Sequence, residues 1–235
     1  MRARLKRAAF VIVFLMATLV LGRVSAEAYV ETFDSGSAGW KTWFMPSFTG
    51  VDATFHASGG NPGGYISGYV NGTERLYAFD ASASPFGDLT GQTLRVDYKI
   101  GGTVTSPTPA DVRFYFGTTI GGNKYYVSNN TFSWDPNANT DWTTHTVSVL
   151  PANFIEWPNQ NTGSQTFAQV AAAPEWIGLV LTDSVFTNND NLGFQSTAGA
   201  TISVDNFGAV PIPGAVWLLG SGLMGCAGVR RLFRL

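Results

Sequence analysis

The chain has 235 residues, 45% of them hydrophobic and 13% charged, so it is long enough to bury one core with short tails on either side. Its 27 glycines, 11 prolines and 14% aromatic residues exclude coiled coils and polar low-complexity chains and favour short strands joined by turns. Residues 27–209 hold all 16 acidic residues and only six basic ones, a net charge of −10 that argues against a nucleic-acid partner.

Residues 1–26 have the organisation of a secretory signal peptide. Four basic residues between positions 2 and 7 precede an apolar run over Ala8–Leu21, which is followed by the small-residue pattern Val24-Ser25-Ala26. A helix that crosses a bilayer needs about 20 apolar residues, and this run is shorter. We therefore expect an N-terminal signal helix that signal peptidase removes during export.

Residues 27–209 are predicted to form one domain built from strands. The clearest signal is Leu94–Ile100, in which apolar side chains alternate with charged ones, as on a half-buried antiparallel strand. Val112–Phe116 alternates in the same way. The other predicted strands are Tyr29–Phe33, Lys41–Phe44, Ala53–Ala57, Tyr65–Tyr69, Arg75–Phe79, Lys124–Val127, Trp142–Leu150, Ile177–Leu181 and Thr201–Phe207. One short helix is predicted over Phe167–Ala172, with Thr166 as its N-cap. This pattern favours an all-β, antiparallel β-sandwich.

The order of five segments along this domain carries a resemblance to a known class. It is similar to the order in laminin B (domain IV) modules, carbohydrate-binding modules and galactose-binding-like domains. The segments are Val30–Asp34, Gly39–Trp40, Gly59–Ile66, Phe79–Leu94 and Ile202–Phe207. The resemblance implies that the sandwich is a jelly roll, here with expanded loops at residues 129–139 and 187–197.

The same resemblance implies a structural calcium ion. In jelly rolls of this type the ion is often held by an acid of the opening strand, carbonyl groups of a glycine-rich loop and an acid of the final strand. The matching positions are Glu31, the loop residues Asn61 and Gly64, and Asp205, with Asp34 as an additional ligand. Carboxylate and carbonyl oxygens are the ligands that Ca²⁺ takes. The alternative is that Glu31 and Asp205 are ordinary surface acids at strand ends.

Aromatic residues beside loops are candidate sugar platforms, since the CH faces of pyranose rings pack on flat aromatic rings. Trp134, Trp157 and Tyr126 lie beside Asn and Pro residues, and we expect these three side chains to be exposed and to bind ligand. The alternative is that they pack in the core. The aromatic residues that we assign to the core are Trp40, Trp43, Phe44, Phe114, Phe116, Trp142 and Trp176.

The sequence contains few of the residue patterns that are typical of catalytic sites. The two histidines, His56 and His145, lie in predicted strands beside Thr or Ala residues. The nucleophile elbow, the zinc-protease motif and the phosphate loop are all missing from the sequence. Two distant acids such as Glu74 and Glu156 would have to meet in space to cleave a glycosidic bond. We therefore predict that the protein is not an enzyme.

Residues 210–235 combine a short motif, an apolar stretch and a basic end. The motif is Val210-Pro211-Ile212-Pro213-Gly214; residues 215–229 are predicted as a hydrophobic transmembrane helix, and three arginines follow it. This arrangement resembles the PEP-CTERM sorting signal in its VPLP variant, with Ile212 and Gly214 departing from the commonest forms. The resemblance implies a Gram-negative bacterium that makes extracellular polysaccharide, and an exosortase that cleaves the chain near the motif.

These expectations describe a protein that is exported, anchored transiently in the inner membrane, trimmed and delivered to the cell surface or extracellular matrix. Its only cysteine, Cys226, lies in the tail, so a trimmed domain would contain no disulfide. The leading function is adhesion or non-catalytic binding of extracellular polysaccharide. The alternative is a purely structural matrix protein without a small ligand, and a glycan-active enzyme is the third candidate.

Overall fold

The computed structural model describes residues 28–105, 110–134, 141–157, 161–182 and 193–211. These residues form two antiparallel sheets packed face to face, which confirms the predicted all-β jelly-roll sandwich. The strands are β1 (Tyr29–Glu31), β2 (Lys41–Met45), β3 (Thr49–Asp52), β4 (Thr54–His56), β5 (Tyr65–Val70), β6 (Arg75–Ser82), β7 (Gln92–Gly102), β8 (Ala110–Thr118), β9 (Lys124–Ser128), β10 (Phe132–Trp134), β11 (Thr143–Ser148), β12 (Phe154–Glu156), β13 (Trp176–Thr182) and β14 (Ala200–Pro211). A 3₁₀ turn spans Pro151–Asn153, and helix α1 spans Phe167–Ala172.

The smaller sheet has six strands. Five of them follow the order β11–β7–β14–β5–β4, and β1 also pairs with β14. The pairing of β14 with β7 is interrupted by a bulge between Asp205 and Gly208, where Asn206 has a positive φ of 47°. The opening strand therefore lies beside the closing strand, next to this bulge.

The larger sheet has eight strands, seven of them in the order β12–β9–β8–β13–β6–β2–β3, while β10 pairs with β8. Its central strands β6, β13 and β8 are in continuous antiparallel register. Because side chains alternate between the two faces of a strand, each of these strands sends one set of residues into the sandwich and the other set outward.

The main core fills the space between the two sheets. The rings of Trp40 and Phe207 lie 4.8 Å apart at its centre, and Phe114 lies 5.9 Å from Phe207. The predicted core positions of Trp40, Phe114 and Phe116 are confirmed, since each is at most 1% exposed. A second, smaller apolar cluster lies on the outward face of the eight-stranded sheet. Its buried members are Ala78, Tyr115, Val127, Trp157 and Val180.

Helix α1 begins and ends at the predicted residues. Gln169 N donates to Thr166 Oγ1 at 3.4 Å, and Thr166 N donates to Gln169 Oε1 at 2.9 Å, the two hydrogen bonds of a capping box. Strands β3, β10 and β12, with three or four residues each, were not predicted. A segment this short contains too few alternations to be recognised by its period.

Strand β14 continues into the predicted processing motif, because Val210 and Pro211 pair with Thr93 and Gln92 of β7. The rest of the motif, the signal helix and the C-terminal hydrophobic helix lie outside the described residues. Within the ranges given above, no helix has the length and apolar character needed to span a membrane.

Candidate functional site

A cleft of about 430 Å³ opens on the outward face of the eight-stranded sheet. Its volume falls within the range of about 300–1,000 Å³ that is typical of small-ligand sites. Seven of the ten residues described along it are aromatic, and we call it the aromatic cleft. The lining residues are Trp43, Phe48, Tyr77, Ala78, Asp80, Tyr115, Thr119, Tyr125, Trp157 and Trp176.

A glycine of β13 separates two residues that line the aromatic cleft. Gly178 of β13 lies between Asp80 of β6 and Tyr115 of β8 in register. A Cβ atom at Gly178 would lie 2.8 Å from Asp80 Cα, so a larger residue does not fit there without a shift of the backbone. The missing side chain leaves a path across β13 from Tyr115 to Asp80.

Two aromatic rings lie over glycines of neighbouring strands. The Trp43 ring covers Gly50 of β3, where a Cβ atom would come within 2.9 Å of ring atoms Cη2 and Cζ3. The Tyr125 ring covers Gly117 of β8, where a Cβ atom would lie 2.7 Å from Cε1. Gly117 also pairs with Trp176 on its other side. Rings that lie across glycines extend along the sheet surface, which produces a broad apolar platform.

Asp80 is the acidic group of the aromatic cleft and is 9% exposed. Tyr115 Oη donates to its Oδ2 at 2.5 Å, and Trp43 Nε1 donates to its Oδ1 at 2.9 Å. These two charge-assisted hydrogen bonds connect strands β8, β6 and β2. A carboxylate has about four acceptor positions, so these bonds leave acceptor capacity on Asp80.

Burial raises the pKa of Asp80 above its ordinary value, and the hydrogen bonds from Tyr115 and Trp43 and the charge of Lys41 oppose this only in part. Burial also raises the pKa of Tyr77 to about 12 and that of Tyr115 well above its ordinary value. Both phenol groups therefore remain protonated at neutral pH. The cleft thus combines hydroxyl groups, a carboxylate and flat rings.

The structure places the three predicted sugar-binding residues in different surroundings. Trp157 lines the aromatic cleft but is only 7% exposed, because its ring packs edge-on against Tyr115 at 5.3 Å, so the expectation of an exposed ring is wrong. The expected exposure of Tyr126 is also wrong: it is 6% exposed and packs against Phe167 in the main core. The side chain of Trp134, the last residue of β10, lies outside the described part of the structure.

Two residues that the sequence assigned to the core instead line the aromatic cleft. Trp176 is 38% exposed at the first position of β13, and Trp43 is half-buried on β2. The prediction that both pack in the core is wrong because their strands place them on the outward face of the sheet. Tyr77, Tyr115 and Tyr125 were not singled out at all. The period-two alternation of their strands was a usable signal, although it does not say which face is outward.

The predicted calcium ligands lie around a glycine-rich loop, residues 59–64, on the other sheet. Asp205 of β14 pairs in register with Asp97 of β7, and both are fully buried. Asn61 N donates to Asp205 Oδ2 at 2.5 Å, and Asn61 Nδ2 donates to Asp97 Oδ2 at 3.3 Å. Asn206 completes the contact, donating through its backbone N–H to Asp205 and through its side chain to Asp97.

Asp34 approaches the same loop from the opening segment. Gly64 N lies at 3.4 Å from Asp34 Oδ1 and donates to it. Glu31 does not join this group, since its two oxygens accept from Tyr29 Oη and Phe33 N beside it in the chain. Four of the five predicted ligands are therefore brought together. Asp97 is a further acid that the sequence did not indicate.

The carboxylates of this loop cluster repel one another. Burial raises the pKa of Asp205, and the charges of Asp97 and Asp34 raise it further, while hydrogen bonds from Asn61 and Asn206 lower it. In the described part of the chain, no group of three or more His, Cys, Asp or Glu side chains has the placement of a metal-ligand set. In this structure the carboxylates accept hydrogen bonds from the loop.

Both histidines pack against aromatic rings. His145 stacks on Phe132 at 4.1 Å, and burial lowers its pKa. His56 stacks on Tyr65 at 4.3 Å, and its Nε2 forms a hydrogen bond with Ser67 at 2.7 Å. Neither is among the residues that line the aromatic cleft.

Comparison with known proteins finds similarity in structure. No family model matches the chain, and no curated protein matches its sequence. A family 11 carbohydrate-binding module of Clostridium thermocellum, solved with a β-1,3-1,4-mixed-linked tetrasaccharide, is 13% identical with a TM-score of 0.49, and the match covers 80% of this chain and 98% of the module. A CBM22-1 xylan-binding domain of Paenibacillus barcinonensis is 12% identical with a TM-score of 0.42, covering 79% and 95%. The L4b domain of human laminin alpha-2 is 9% identical with a TM-score of 0.45, covering 80% and 99%.

Proposed function

We propose that the protein binds glycan chains at the aromatic cleft without cleaving them. The observation that carries the proposal is the concentration of seven aromatic residues, with a carboxylate and several hydroxyl groups, on an outward sheet face. The solvent-facing side of an antiparallel sheet is ordinarily polar, so an aromatic face of this kind requires another explanation. Stacking on flat rings and hydrogen bonding from fixed polar groups are the two interactions that a sugar ring uses.

The composition of the aromatic cleft favours binding over hydrolysis. Glycoside hydrolysis generally uses two carboxyl groups that flank the scissile bond. Of the residues described along the cleft, Asp80 alone carries a carboxyl group. The distant acids Glu74 and Glu156 do not line it: Glu74 accepts from Ser47, and Glu156 pairs with Lys124 at 2.6 Å. A non-catalytic role is therefore the better-supported proposal.

Replacing the exposed tryptophan tests the proposal. We expect Trp176→Ala to weaken binding of the best ligand from a glycan array at least tenfold, which corresponds to about 1.4 kcal/mol, because the ring stacks on the sugar. Trp142→Ala is the matched control. Trp142 immediately precedes β11 of the other sheet, its Nε1 donates to Gly59 O, and its loss should leave affinity unchanged. Affinity is measured by isothermal titration calorimetry with the full-length protein.

Wild-type affinity in Trp176→Ala would contradict the assignment of the aromatic cleft. A wild-type protein that retains no glycan across the array would contradict glycan binding itself and favour the alternative, a structural matrix protein without a small ligand.

We propose further that Ca²⁺ binds at the loop cluster of Asp34, Asn61, Gly64 and Asp205. Support comes from the donor chemistry, since hard carboxylate oxygens meet a glycine-rich backbone. Burial and, to a smaller extent, the charges of Asp97 and Asp34 raise the pKa of Asp205, and a bound cation would offset both effects. Glu31 is left out of this proposal because both of its oxygens accept local hydrogen bonds.

Chelation tests the calcium proposal. Removing a ligand held at about 100 times its Kd costs about 2.7 kcal/mol, so we expect a chelator to lower Tm by about 5–10 °C. Asp205→Asn should have a Tm that the chelator does not change, whereas Asp88→Asn, an exposed acid elsewhere, should respond like wild type. Equal chelator sensitivity in wild type and Asp205→Asn would argue against the site, as would calorimetry that detects no heat of Ca²⁺ binding.

The ends of the chain support a proposal about its destination. We propose export through a signal peptide, exosortase cleavage near Pro211 to Gly214, and delivery to the cell surface or extracellular matrix of a Gram-negative bacterium. The support is the order of motif, apolar stretch and arginines at residues 210–235.

Mass spectrometry of protein recovered from the producing cells tests this route. The expected mature chain begins close to residue 27 and ends at or before Gly214. Cells that lack the exosortase provide the control and should retain the tail. Recovery of the intact C-terminus from the surface of normal cells would instead indicate a permanent anchor.

A further inference from the structure

The charge among the residues described along the aromatic cleft is negative. Asp80 is the only charged group among the residues described along it. Lys41 lies opposite Asp80 in register, but its Nζ bonds Asp52 on the far side at 2.9 Å. The groups that bond Asp80 directly, Tyr115 and Trp43, are neutral. Among the residues that the structure describes, no cation is hydrogen-bonded to this buried carboxylate.

An ionised carboxylate in such surroundings favours a cationic ligand. Poorly solvated charges interact more strongly than charges in water, because the surrounding dielectric is lower. The faces of tryptophan and tyrosine rings carry negative charge density and attract ammonium groups. Trp43 therefore contributes twice, through a hydrogen bond that holds the carboxylate and through its ring beside it, whereas Tyr115 contributes its hydrogen bond. Uronic acids and sulfated sugars would meet a like charge and lose affinity.

The charge of the whole domain acts in the same direction. Residues 27–209 carry a net charge of −10. A negative domain attracts cationic polymers over long distances and repels anionic ones. The Asp80 carboxylate and the electrostatic field of the whole domain thus both favour binding of a positively charged polymer.

Resting on the proposed glycan binding, we infer that the aromatic cleft selects glycans that carry free ammonium groups. These are hexosamine polymers from which N-acetyl groups have been removed. The ammonium group lies against the Asp80 carboxylate and the ring of Trp43. The rest of the sugar chain packs along the platform toward Tyr125 and Trp176.

Three hexasaccharides with the same β-1,4-linked backbone test the inference. They are the hexamers of glucosamine, N-acetylglucosamine and glucose, titrated into the full-length protein at neutral pH, since the raised pKa of Asp80 makes its carboxylate lose charge as the pH falls. We expect the glucosamine hexamer to bind about tenfold more tightly than the other two, in keeping with a cation–π and ion-pair contribution. Added salt should weaken binding of the glucosamine hexamer and leave the glucose hexamer unchanged.

The matched variants are Asp80→Asn and Asp88→Asn, which remove the same charge from the aromatic cleft and from an exposed loop. Asp80→Asn should abolish the preference, so that the glucosamine and glucose hexamers bind this variant with equal affinity. Asp88→Asn should retain the preference. The salt series on wild type needs no variant, so it tests whether charge contributes to binding even if Asp80→Asn does not fold, and binding of the glucosamine hexamer that salt does not change would contradict the inference.

Three outcomes would overturn the inference. Equal binding of the glucosamine and glucose hexamers would remove the ammonium preference while leaving glycan binding intact. A preference that survives Asp80→Asn would place the charge recognition elsewhere. A lysine hexamer that binds as tightly as the glucosamine hexamer would mean that charge alone is recognised. If no hexasaccharide or array glycan binds, the proposed function itself fails.

Discussion

The hydroxyl group of Tyr115 reaches Asp80 across an intervening strand, over a position where Gly178 supplies no side chain. Adjacent strands lie about 4.8 Å apart, so the two residues that this hydrogen bond joins belong to strands about 10 Å apart, and a larger residue at position 178 would lie between them. The carboxylate also accepts from the Trp43 indole, so three strands of the outward face are joined through one side chain. Without the Tyr115 bond, Asp80 would keep the hydrogen bond from Trp43, but the Tyr115 hydroxyl would lose its partner on β6.

The two candidate sites lie on different sheets and depend on different features of the chain. The aromatic cleft belongs to the outward face of the eight-stranded sheet, whereas the glycine-rich loop covers Asp97 and Asp205 on the six-stranded sheet. The loop contacts β14 beside the bulge where the opening and closing strands meet, so it joins both ends of the domain. A ligand at the loop would therefore stabilise the fold, whereas a ligand at the aromatic cleft would bind a surface that forms without it.

The sequence was sufficient for the architecture and for part of each site. Alternation predicted most of the strands, and the Thr166 cap predicted α1, because these signals are local. The site on the eight-stranded sheet was harder to predict because both faces of that sheet are apolar. Tyr125 and Tyr126 are adjacent, and alternation requires one inside and one outside without saying which. The role of Asp97 depends on its register with Asp205, more than 100 residues away, which no local pattern contains.

Contact between a glycan and the rings of the aromatic cleft is tested most directly by nuclear magnetic resonance of the isotope-labelled protein during titration with its best glycan. The indole N–H signals of Trp43 and Trp176 should shift in a saturable way. The signal of Trp142, whose indole N–H donates to Gly59 O at 3.0 Å on the other sheet, should stay in place. Saturable shifts of Trp142 with unchanged Trp43 and Trp176 signals would contradict the account.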